Sequence, residues 1–284
     1  MIYQGDTRDV LPTLDAGSVQ CVVTSPPFYQ LRDYGVDGQI GLEPTPDAYV
    51  ETLVAVFREV RRLLRDDGTV WLNLGDSFMD KQLQQIPARV ALALQADGWY
   101  LRSDIIWAKG LSFCPSYAGS VMPESCTDRP TSAYEHIFLL TKKARYYYDV
   151  EAVRETAIHA GKVVTLGAQS LSKRSAAGIG ITGSGNALAD SVTVASGRNL
   201  RNVWAINPQP FREAHFATFP MALVEPCIRA GSRAGDTVLD PFAGSGTTGI
   251  VAARHGREFV GIELNPQYAQ MAGESIDGPL FTEP

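Results

Sequence analysis

Short runs of apolar residues alternate along the chain with longer stretches in which apolar residues recur every three or four positions. The short runs predict buried strands, and the longer stretches predict amphipathic helices. Strands that alternate with helices indicate an α/β fold, with a mostly parallel sheet and helices on both of its faces. The predicted strands span residues 19–23, 69–74, 101–107, 136–140, 237–239 and 259–262, and the predicted helices include 86–96 and 247–254.

The longest predicted helix has signals at both ends. Thr45 is a favourable N-cap residue, and Pro46 suits the first helical position because the amide hydrogen that it lacks would have no partner there. Gly68 is predicted to end the helix. Its apolar face contains Val50, Leu53, Val54, Phe57, Val60 and Leu64.

Residues 157–200 interrupt the alternation. They are rich in Gly, Ser, Ala and Thr and include the run GIGITGSG. Loops of this length inside a compact domain are usually functional or disordered. We therefore interpret residues 157–200 as a segment inserted into one catalytic domain, whose two parts are residues 1–156 and 201–284.

The 284 residues carry a formal net charge of −6 that is unevenly distributed. Residues 102–212 contain 13 Lys and Arg against 8 Asp and Glu, whereas the remainder contains 12 against 23. A basic middle permits contact with nucleic-acid phosphates, although ordinary scatter of charge would look similar. No apolar run approaches the ~20 residues of a membrane span, and no secretory signal is recognisable. The scattered cysteines predict neither a metal site nor disulfides, and we expect a cytoplasmic protein.

A glycine-rich turn follows the strand at 237–239. In TVLDPFAGSGTTG, Gly244, Gly246 and Gly249 form a G-x-G-x-x-G pattern before a predicted helix. Such glycines let the backbone approach a ligand, and the helix N-terminus offers N–H groups to an anion. Glu263 ends the next strand, about 20 residues after the first glycine, where an acid can bind ribose hydroxyls. The pattern alone is compatible with a dinucleotide, with S-adenosylmethionine, or with a tight turn that binds nothing.

Two features of this segment favour S-adenosylmethionine. Asp240-Pro241-Phe242 separates the strand from the glycines, where a nicotinamide site would usually pass straight into the turn. Moreover, only 35 residues follow Gly249, too few to complete a dinucleotide-binding sheet. Most strands of the sheet must therefore come from earlier in the chain.

A second candidate site lies where the strand at 19–23 runs into Thr24-Ser25-Pro26-Pro27-Phe28. Two prolines cannot continue a central strand, so the chain must turn at the carboxyl end of the strand, where ligands bind in open α/β sheets. The stiff loop would present the carbonyl oxygens of Ser25 and Pro26, the Ser25 hydroxyl and the flat face of Phe28. These groups suit a planar base that bears an NH₂ group, although the bare pattern is more often a rigid surface turn.

TSPPF resembles the catalytic motif of the DNA amino-methyltransferases, in which Asp, Asn or Ser precedes Pro-Pro and an aromatic residue. DPFAGSGTTG resembles their cofactor motif, and GTVWLNLGDSF, DIIWAKG and GREFVGIELNPQY extend the resemblance over nearly the whole chain outside residues 157–200. The catalytic motif precedes the cofactor motif, as in the circularly permuted β group. The resemblance implies a Rossmann-like methyltransferase fold, in which residues 2–4 supply the strand beside the one that ends in Glu263.

The resemblance also implies the reaction. A methyl group of S-adenosylmethionine would pass directly to the exocyclic amino group of a base flipped out of double-stranded DNA. Ser25 and the Pro26 carbonyl would accept the amino hydrogens within the loop stiffened by Pro27, and Phe28 would stack on the base. Family members with Ser in the first motif position are mostly N4-cytosine enzymes, whereas N6-adenine enzymes usually carry Asp or Asn. Adenine N6 methylation stays open as the nearest alternative, and N-methylation of RNA or of a protein amide as a more distant one.

For the cofactor, the resemblance places residues 242–246 around the methionine moiety, Thr247 at its carboxylate and Glu263 at the ribose. Asp6 would accept from the adenine amino group or cap a helix, and Asp240 would contact the methionine amine or cap the turn. His215 would lie beside the methionine end or pack against a helix. The candidate cofactor residues are Asp6, Thr24, His215, Phe216, Ala217, Asp240, Phe242, Ala243, Gly244, Ser245, Gly246, Thr247, Thr248, Glu263 and Asn265.

Three further features complete the interpretation. Residues 157–200 are the predicted target-recognition region, and a homodimer and a cognate restriction endonuclease are candidate partners beside DNA. Pro226-Cys227 resembles the nucleophilic pair of cytosine C5 methyltransferases, but Cys227 lies on an apolar helical face, which predicts a core residue. The basic run at 142–145 is either a phosphate contact or a solvated strand end.

Overall fold

The computed structural model describes residues 1–156, 163–165, 191–193, 197–208 and 219–278. The chain divides into two compact units, one formed by Met1–Asp149 with Arg201–Pro284 and the other by Val150–Leu200. In the smaller unit, the short strands Glu155–Thr156 and Gly197–Arg198 pair antiparallel, as do Val163–Thr165 and Ser191–Thr193. Most of the predicted insert, residues 157–200, lies outside the described residues.

The larger unit is built on an eight-stranded sheet with the order β1-β8-β7-β2-β3-β5-β4-β6. Of these described strands, only β5 is antiparallel to its neighbours, so the sheet is mostly parallel, as predicted. The strands are β1 (Ile2–Gln4), β2 (Val19–Thr24), β3 (Leu64–Leu74), β4 (Tyr100–Ala108), β5 (Tyr134–Thr141), β6 (Val203–Ala205), β7 (Thr237–Asp240) and β8 (Glu258–Glu263).

The first and the last strand of this sheet, in chain order, are neighbours. The prediction that residues 2–4 form the strand beside the one ending in Glu263 is confirmed, because β1 pairs in parallel with β8 and Gln4 lies opposite Glu263. The N-terminal ammonium group also donates to the Phe259 carbonyl at 2.7 Å. The N-terminal strand therefore belongs to the same part of the sheet as the glycine-rich turn.

Helices connect the strands. They are α1 (Thr7–Val10), α2 (Pro46–Leu63), α3 (Ile86–Ala96), α4 (Met221–Gly231), α5 (Thr247–Arg254) and α6 (Pro266–Asp277). No helix within the described residues is long and apolar enough to cross a membrane.

The start of α2 was predicted correctly, but its end was not. Thr45 accepts a hydrogen bond from the Ala48 amide at 3.1 Å and caps the helix. The helix ends at Leu63, and β3 begins at Leu64, so that Gly68 lies inside the strand. A Cβ atom at Gly68 would be 2.8 Å from the Gln20 carbonyl of β2. Gly68 therefore permits close pairing of β2 with β3 and does not terminate the helix.

Both faces of the sheet are covered. On one face, Val70, Leu72 and Leu74 of β3 join a core cluster that includes Leu53 and Phe57 of α2 and residues of α3. On the other face, a Cβ atom at Gly231 of α4 would be 2.9 Å from the Trp71 indole nitrogen and 2.8 Å from Cys21. Successive residues of β3 therefore face opposite sides of the sheet, where α2 and α3 pack on one side and α4 packs on the other.

Candidate functional site

The TSPPF loop begins where β2 ends, at the carboxyl edge of the sheet. Ser25 is half-buried and Pro26 is buried. The Pro27 carbonyl accepts a hydrogen bond from the Tyr49 hydroxyl at 2.9 Å, which fixes the loop to α2. Among the described residues, none donates a hydrogen bond to the Ser25 or Pro26 carbonyl. The role of these two carbonyl groups as acceptors for a ligand stays a prediction.

Phe28 is held in place by a close contact from the residue that follows β3. A Cβ atom at Gly75 would lie 2.6 Å from Cε2 of Phe28, so only glycine allows the ring to occupy this position. The next residue along the loop, Tyr29, is buried and its ring centroid lies 5.6 Å from that of Tyr49. The ring of Phe28 is consequently fixed against Gly75, with part of its surface exposed.

A row of polar side chains extends from Ser25 across the neighbouring strands. The Ser25 hydroxyl donates to Asn73 Oδ1 at 3.0 Å, and Asn73 Nδ2 donates to Glu135 Oε2 at 3.0 Å. The other oxygen of Glu135 accepts from Lys109. Asn73, Glu135 and Lys109 are not among the site residues predicted from the sequence. The available signal was Asn73 itself, a polar residue inside the apolar strand WLNL.

The glycine turn between β7 and α5 has a backbone that glycine favours. Gly244 and Gly246 have φ values of +53° and +88°, in the left-handed region that other residues rarely adopt. A Cβ atom at Gly246 would be 3.0 Å from Ala272 of α6, whereas one at Gly244 would meet no described atom within 4 Å. Gly246 therefore serves close packing, and Gly244 lies beside open space.

Glu263 holds this turn from the end of β8. Its two oxygens accept hydrogen bonds from the Gly244 and Asn265 amides, each at 2.8 Å. Burial raises the pKa of Glu263, and these backbone hydrogen bonds oppose the shift. The Asn265 side chain caps α6 by accepting from the Gln267 amide at 2.9 Å. The carboxylate predicted to bind ribose thus also organises the backbone of the glycine turn.

Asp240 is buried where β7 enters the turn. It accepts hydrogen bonds from the Thr24 and Thr248 hydroxyls, each at 2.7 Å, and from the Phe242 amide at 3.1 Å. Burial raises its pKa to about 6, although these hydrogen bonds favour the ionised form. Of the two roles considered for Asp240, the structure contains the capping one. Thr24 and Thr248 thus join the TSPPF loop to the glycine turn through Asp240.

The other candidate cofactor residues surround the same turn or lie outside the described residues. Asp6 caps α1 through the Arg8 amide at 2.8 Å and also pairs with the Arg8 guanidinium. Ser245 has a buried hydroxyl with no hydrogen-bond partner among the described residues. The buried residues of the turn also include Ala243 and Thr247. His215, Phe216 and Ala217 fall within 209–218, which the structure does not describe.

The structure shows the positions of two further features noted in the sequence. Cys227 is 2% exposed, and burial raises the pKa of its thiol well above the ordinary value, so the prediction of a core residue is confirmed. The basic run at 142–145 follows the end of the antiparallel strand β5, at the edge of the sheet opposite to the TSPPF loop. There Lys143 pairs with Asp66 at 2.6 Å.

Comparisons with known proteins agree with this arrangement. Residues 19–274 match the family model described as DNA methylase. The chain is 41% identical to the Type II methyltransferase M.Cfr9I of Citrobacter freundii, with 98% of this chain and 87% of that protein covered. A putative DNA modification methylase from Thermus thermophilus, solved in complex with S-adenosyl-L-methionine, is 27% identical with a TM-score of 0.61, over 98% of this chain and 96% of that one.

The fold is also that of the cytosine-N4-specific PvuII DNA methyltransferase. The two share 22% identity, with a TM-score of 0.69 over 99% of this chain and 87% of that one. The family match covers the TSPPF loop, the polar row behind it and the glycine turn. The chain therefore belongs to the DNA methylase family of amino-group methyltransferases.

Proposed function

We propose that this protein transfers a methyl group from S-adenosylmethionine to N4 of a cytosine in double-stranded DNA. The observation that carries the proposal is the pair of acceptors, the Ser25 hydroxyl and the Pro26 carbonyl, at the carboxyl edge of β2. This strand is the immediate neighbour of β7, which leads into the glycine turn. An exocyclic amino group carries two hydrogens and can donate to two such acceptors.

The target base must leave the duplex before it can reach this loop, which costs a few kcal/mol. Phe28 would recover part of that cost by stacking on the base, an interaction worth about 1–3 kcal/mol. Its ring lies against Gly75, and the loop is tied to Tyr49, so little rearrangement accompanies binding. A preorganised surface lowers the entropy that binding would otherwise consume.

Ser25 and Pro26 would orient the amino nitrogen for methylation. Hydrogen bonds to both oxygens direct the nitrogen lone pair away from the loop, and they strengthen as positive charge develops on the nitrogen. S-adenosylmethionine supplies an activated methyl group. The chain therefore needs no nucleophile of its own, in keeping with the buried position of Cys227.

The turn between β7 and α5 fits this cofactor. The N-terminus of α5, with Thr247, would face the methionine carboxylate, because free N–H groups there attract an anion. The buried hydroxyl of Ser245 has no hydrogen-bond partner among the described residues. Glu263 would bind the ribose hydroxyls, and Asp6 the adenine amino group. His215 and the two residues after it would lie at the methionine end.

The choice of cytosine rests on Ser25. N6-adenine members of the family usually carry Asp or Asn at this motif position. The same proposal includes a cognate restriction endonuclease, since M.Cfr9I is a Type II methyltransferase. It also includes a reducing cytoplasmic setting, which the four free cysteines support.

Mass spectrometry of nucleosides from plasmid DNA, prepared with and without the protein, tests the base assignment. We expect N4-methylcytosine, identified beside authentic standards. N6-methyladenine as the only product would reject the choice of base but keep the mechanism, whereas 5-methylcytosine would overturn the mechanism.

Ser25→Ala tests the role of the acceptor. Loss of a hydrogen bond to a developing charge should lower turnover about 10- to 150-fold, the equivalent of about 1.5–3 kcal/mol. Affinity for S-adenosylmethionine should be unchanged. Ser18→Ala is the matched control, because the Ser18 hydroxyl donates to the Asp15 carbonyl on an exposed turn. Full turnover in a folded Ser25→Ala variant would remove Ser25 from the mechanism.

A further inference from the structure

The polar row behind Ser25 crosses four adjacent strands of the sheet. Ser25 follows β2, Asn73 is near the end of β3, Glu135 is near the start of β5, and Lys109 follows β4. Because β5 runs antiparallel, its beginning lies at the same edge as the ends of the other three strands. The hydrogen-bonded row thus joins residues that are far apart in the sequence: Ser25 and Glu135 are 110 positions apart.

The partners of Asn73 determine which way its amide faces. The atom opposite Ser25 must be the oxygen, because the other end of the amide lies 3.0 Å from a Glu135 oxygen and 3.1 Å from the His136 carbonyl. Both of these groups only accept hydrogen bonds, so they require the NH₂ group. Asn73 is 4% exposed, which leaves water little access to replace either partner.

This orientation controls the Ser25 hydroxyl. A hydroxyl has one hydrogen and two lone pairs. With Asn73 Oδ1 at 3.0 Å, the hydrogen of Ser25 is directed toward Asn73, and the lone pairs face the space in front of the loop. If the Asn73 amide were turned around, its NH₂ group would donate to the Ser25 oxygen. The Ser25 hydrogen would then point toward the amino group of the target base, which is itself a donor.

We propose that Glu135, held by Lys109, is a positioning residue that keeps the Ser25 oxygen in the role of acceptor toward the amino group of the target base. The inference rests on the proposed function and adds two residues that contact neither the base nor the cofactor. Glu135 acts through Asn73, and the Lys109 ammonium binds the second Glu135 oxygen. The side chains of Lys109 and Glu135 are 23% and 13% exposed, so solvent screens this pair only partly.

Glu135→Gln provides the sharpest perturbation. The Lys109 ammonium has only hydrogens to donate, so it would select the oxygen of the new amide and leave the NH₂ group facing the Asn73 NH₂ group. Two donors cannot bond to each other, so Asn73 loses this partner. If its amide turns around, the oxygen gains the glutamine NH₂ group but then faces the His136 carbonyl, so either arrangement weakens the hold on the Ser25 hydroxyl. We expect turnover to fall about tenfold or more, as for a lost hydrogen bond to a charged group. The KM for DNA and the affinity for S-adenosylmethionine should change little.

Removing Lys109 as well should restore activity. In the double variant Lys109→Met with Glu135→Gln, the glutamine is free to turn its oxygen toward Asn73, and turnover should recover above that of Glu135→Gln alone. A purely structural role for the ion pair predicts the reverse, a further loss. Glu59→Gln is the matched control, because it breaks an ion pair outside the polar row, between Glu59 and Arg62 of α2 at 2.8 Å.

A double-mutant cycle with Ser25→Ala separates this inference from the proposed function. Single-turnover methyl transfer from labelled S-adenosylmethionine would be measured for all four combinations. If Glu135 acts through the Ser25 hydroxyl, Glu135→Gln should slow the wild-type background about tenfold but leave the Ser25→Ala background nearly unchanged. Equal losses in both backgrounds would overturn the inference while the acceptor role of Ser25 stands. Full activity of Ser25→Ala alone would overturn both.

Discussion

Gly244→Asp would show whether the turn after β7 holds the cofactor. Gly244 has a φ of +53°, and a Cβ atom there would meet no described atom within 4 Å. The new side chain therefore has room, on the side where the cofactor is proposed to lie. The left-handed backbone costs a non-glycine residue about 1–2 kcal/mol, so the variant should still fold.

The effect on binding comes from charge. The Gly244 amide is 2.8 Å from a Glu263 oxygen, and the turn leads directly to the N-terminus of α5. An added carboxylate would thus lie near the proposed position of the methionine carboxylate. Two like charges about 4 Å apart repel by about 4 kcal/mol at an effective dielectric constant of 20. Even half of this repulsion, about 2 kcal/mol, would raise the dissociation constant of S-adenosylmethionine about thirtyfold.

Isothermal titration calorimetry with S-adenosylmethionine measures this change, with circular dichroism as the check that the variant is folded. Gly235→Asp is a matched control. Gly235 has a φ of +81°, no described atom lies within 4 Å of a Cβ there, and it precedes β7 at the opposite edge of the sheet. Unchanged affinity in folded Gly244→Asp would refute the placement of the cofactor. An equal loss in Gly235→Asp would attribute the effect to backbone strain.

Gly75→Ala should displace Phe28, because the new methyl group would lie 2.6 Å from the ring. The rate of DNA methylation should fall, while calorimetry should show an unchanged affinity for the cofactor. Gly273→Ala is the control, because a Cβ atom there would meet no described atom within 4 Å. Full activity of Gly75→Ala would contradict the role of Phe28. Burial raises the pKa of Asp240 from 3.8 to about 6. The contribution of this carboxyl group to the free energy of unfolding is therefore fully present below about pH 4, where the group is protonated, and is lost as the pH rises through 6. Compared with Asp240→Asn, the wild-type protein should lose about 1.4 kcal/mol of unfolding free energy per pH unit across that window. Parallel plots of unfolding free energy against pH for the two proteins would disprove the shift.

Much of the fold could be predicted because its signals are local. The cap at Thr45, the buried run of β2 and the glycines before α5 each depend on neighbours a few positions away, and all three appear where they were expected. The end of α2 could not be predicted in this way. Gly68 looked like a helix terminator, but its use is a close approach to the Gln20 carbonyl, which no local pattern reveals.

The candidate site shows the same division. The motifs around Ser25 and Gly244 predicted a base-binding loop and a cofactor turn through their resemblance to those of the DNA amino-methyltransferases, whereas the bare residue patterns also suited turns that bind nothing. The hydrogen bonds that Asp240 accepts from Thr24 and Thr248 join three segments of the chain and could not be predicted from the sequence.

The row from Ser25 to Lys109 depended entirely on the tertiary structure. Asn73 stands out in the sequence as a polar residue inside an apolar strand, but nothing in the spacing of Asn73, Glu135 and Lys109 connects them. They meet because β2, β3, β5 and β4 are consecutive neighbours in the sheet and because β5 runs antiparallel to the others. Strand order and register are set by the burial of whole faces of the sheet, a property summed over distant residues that local patterns do not contain.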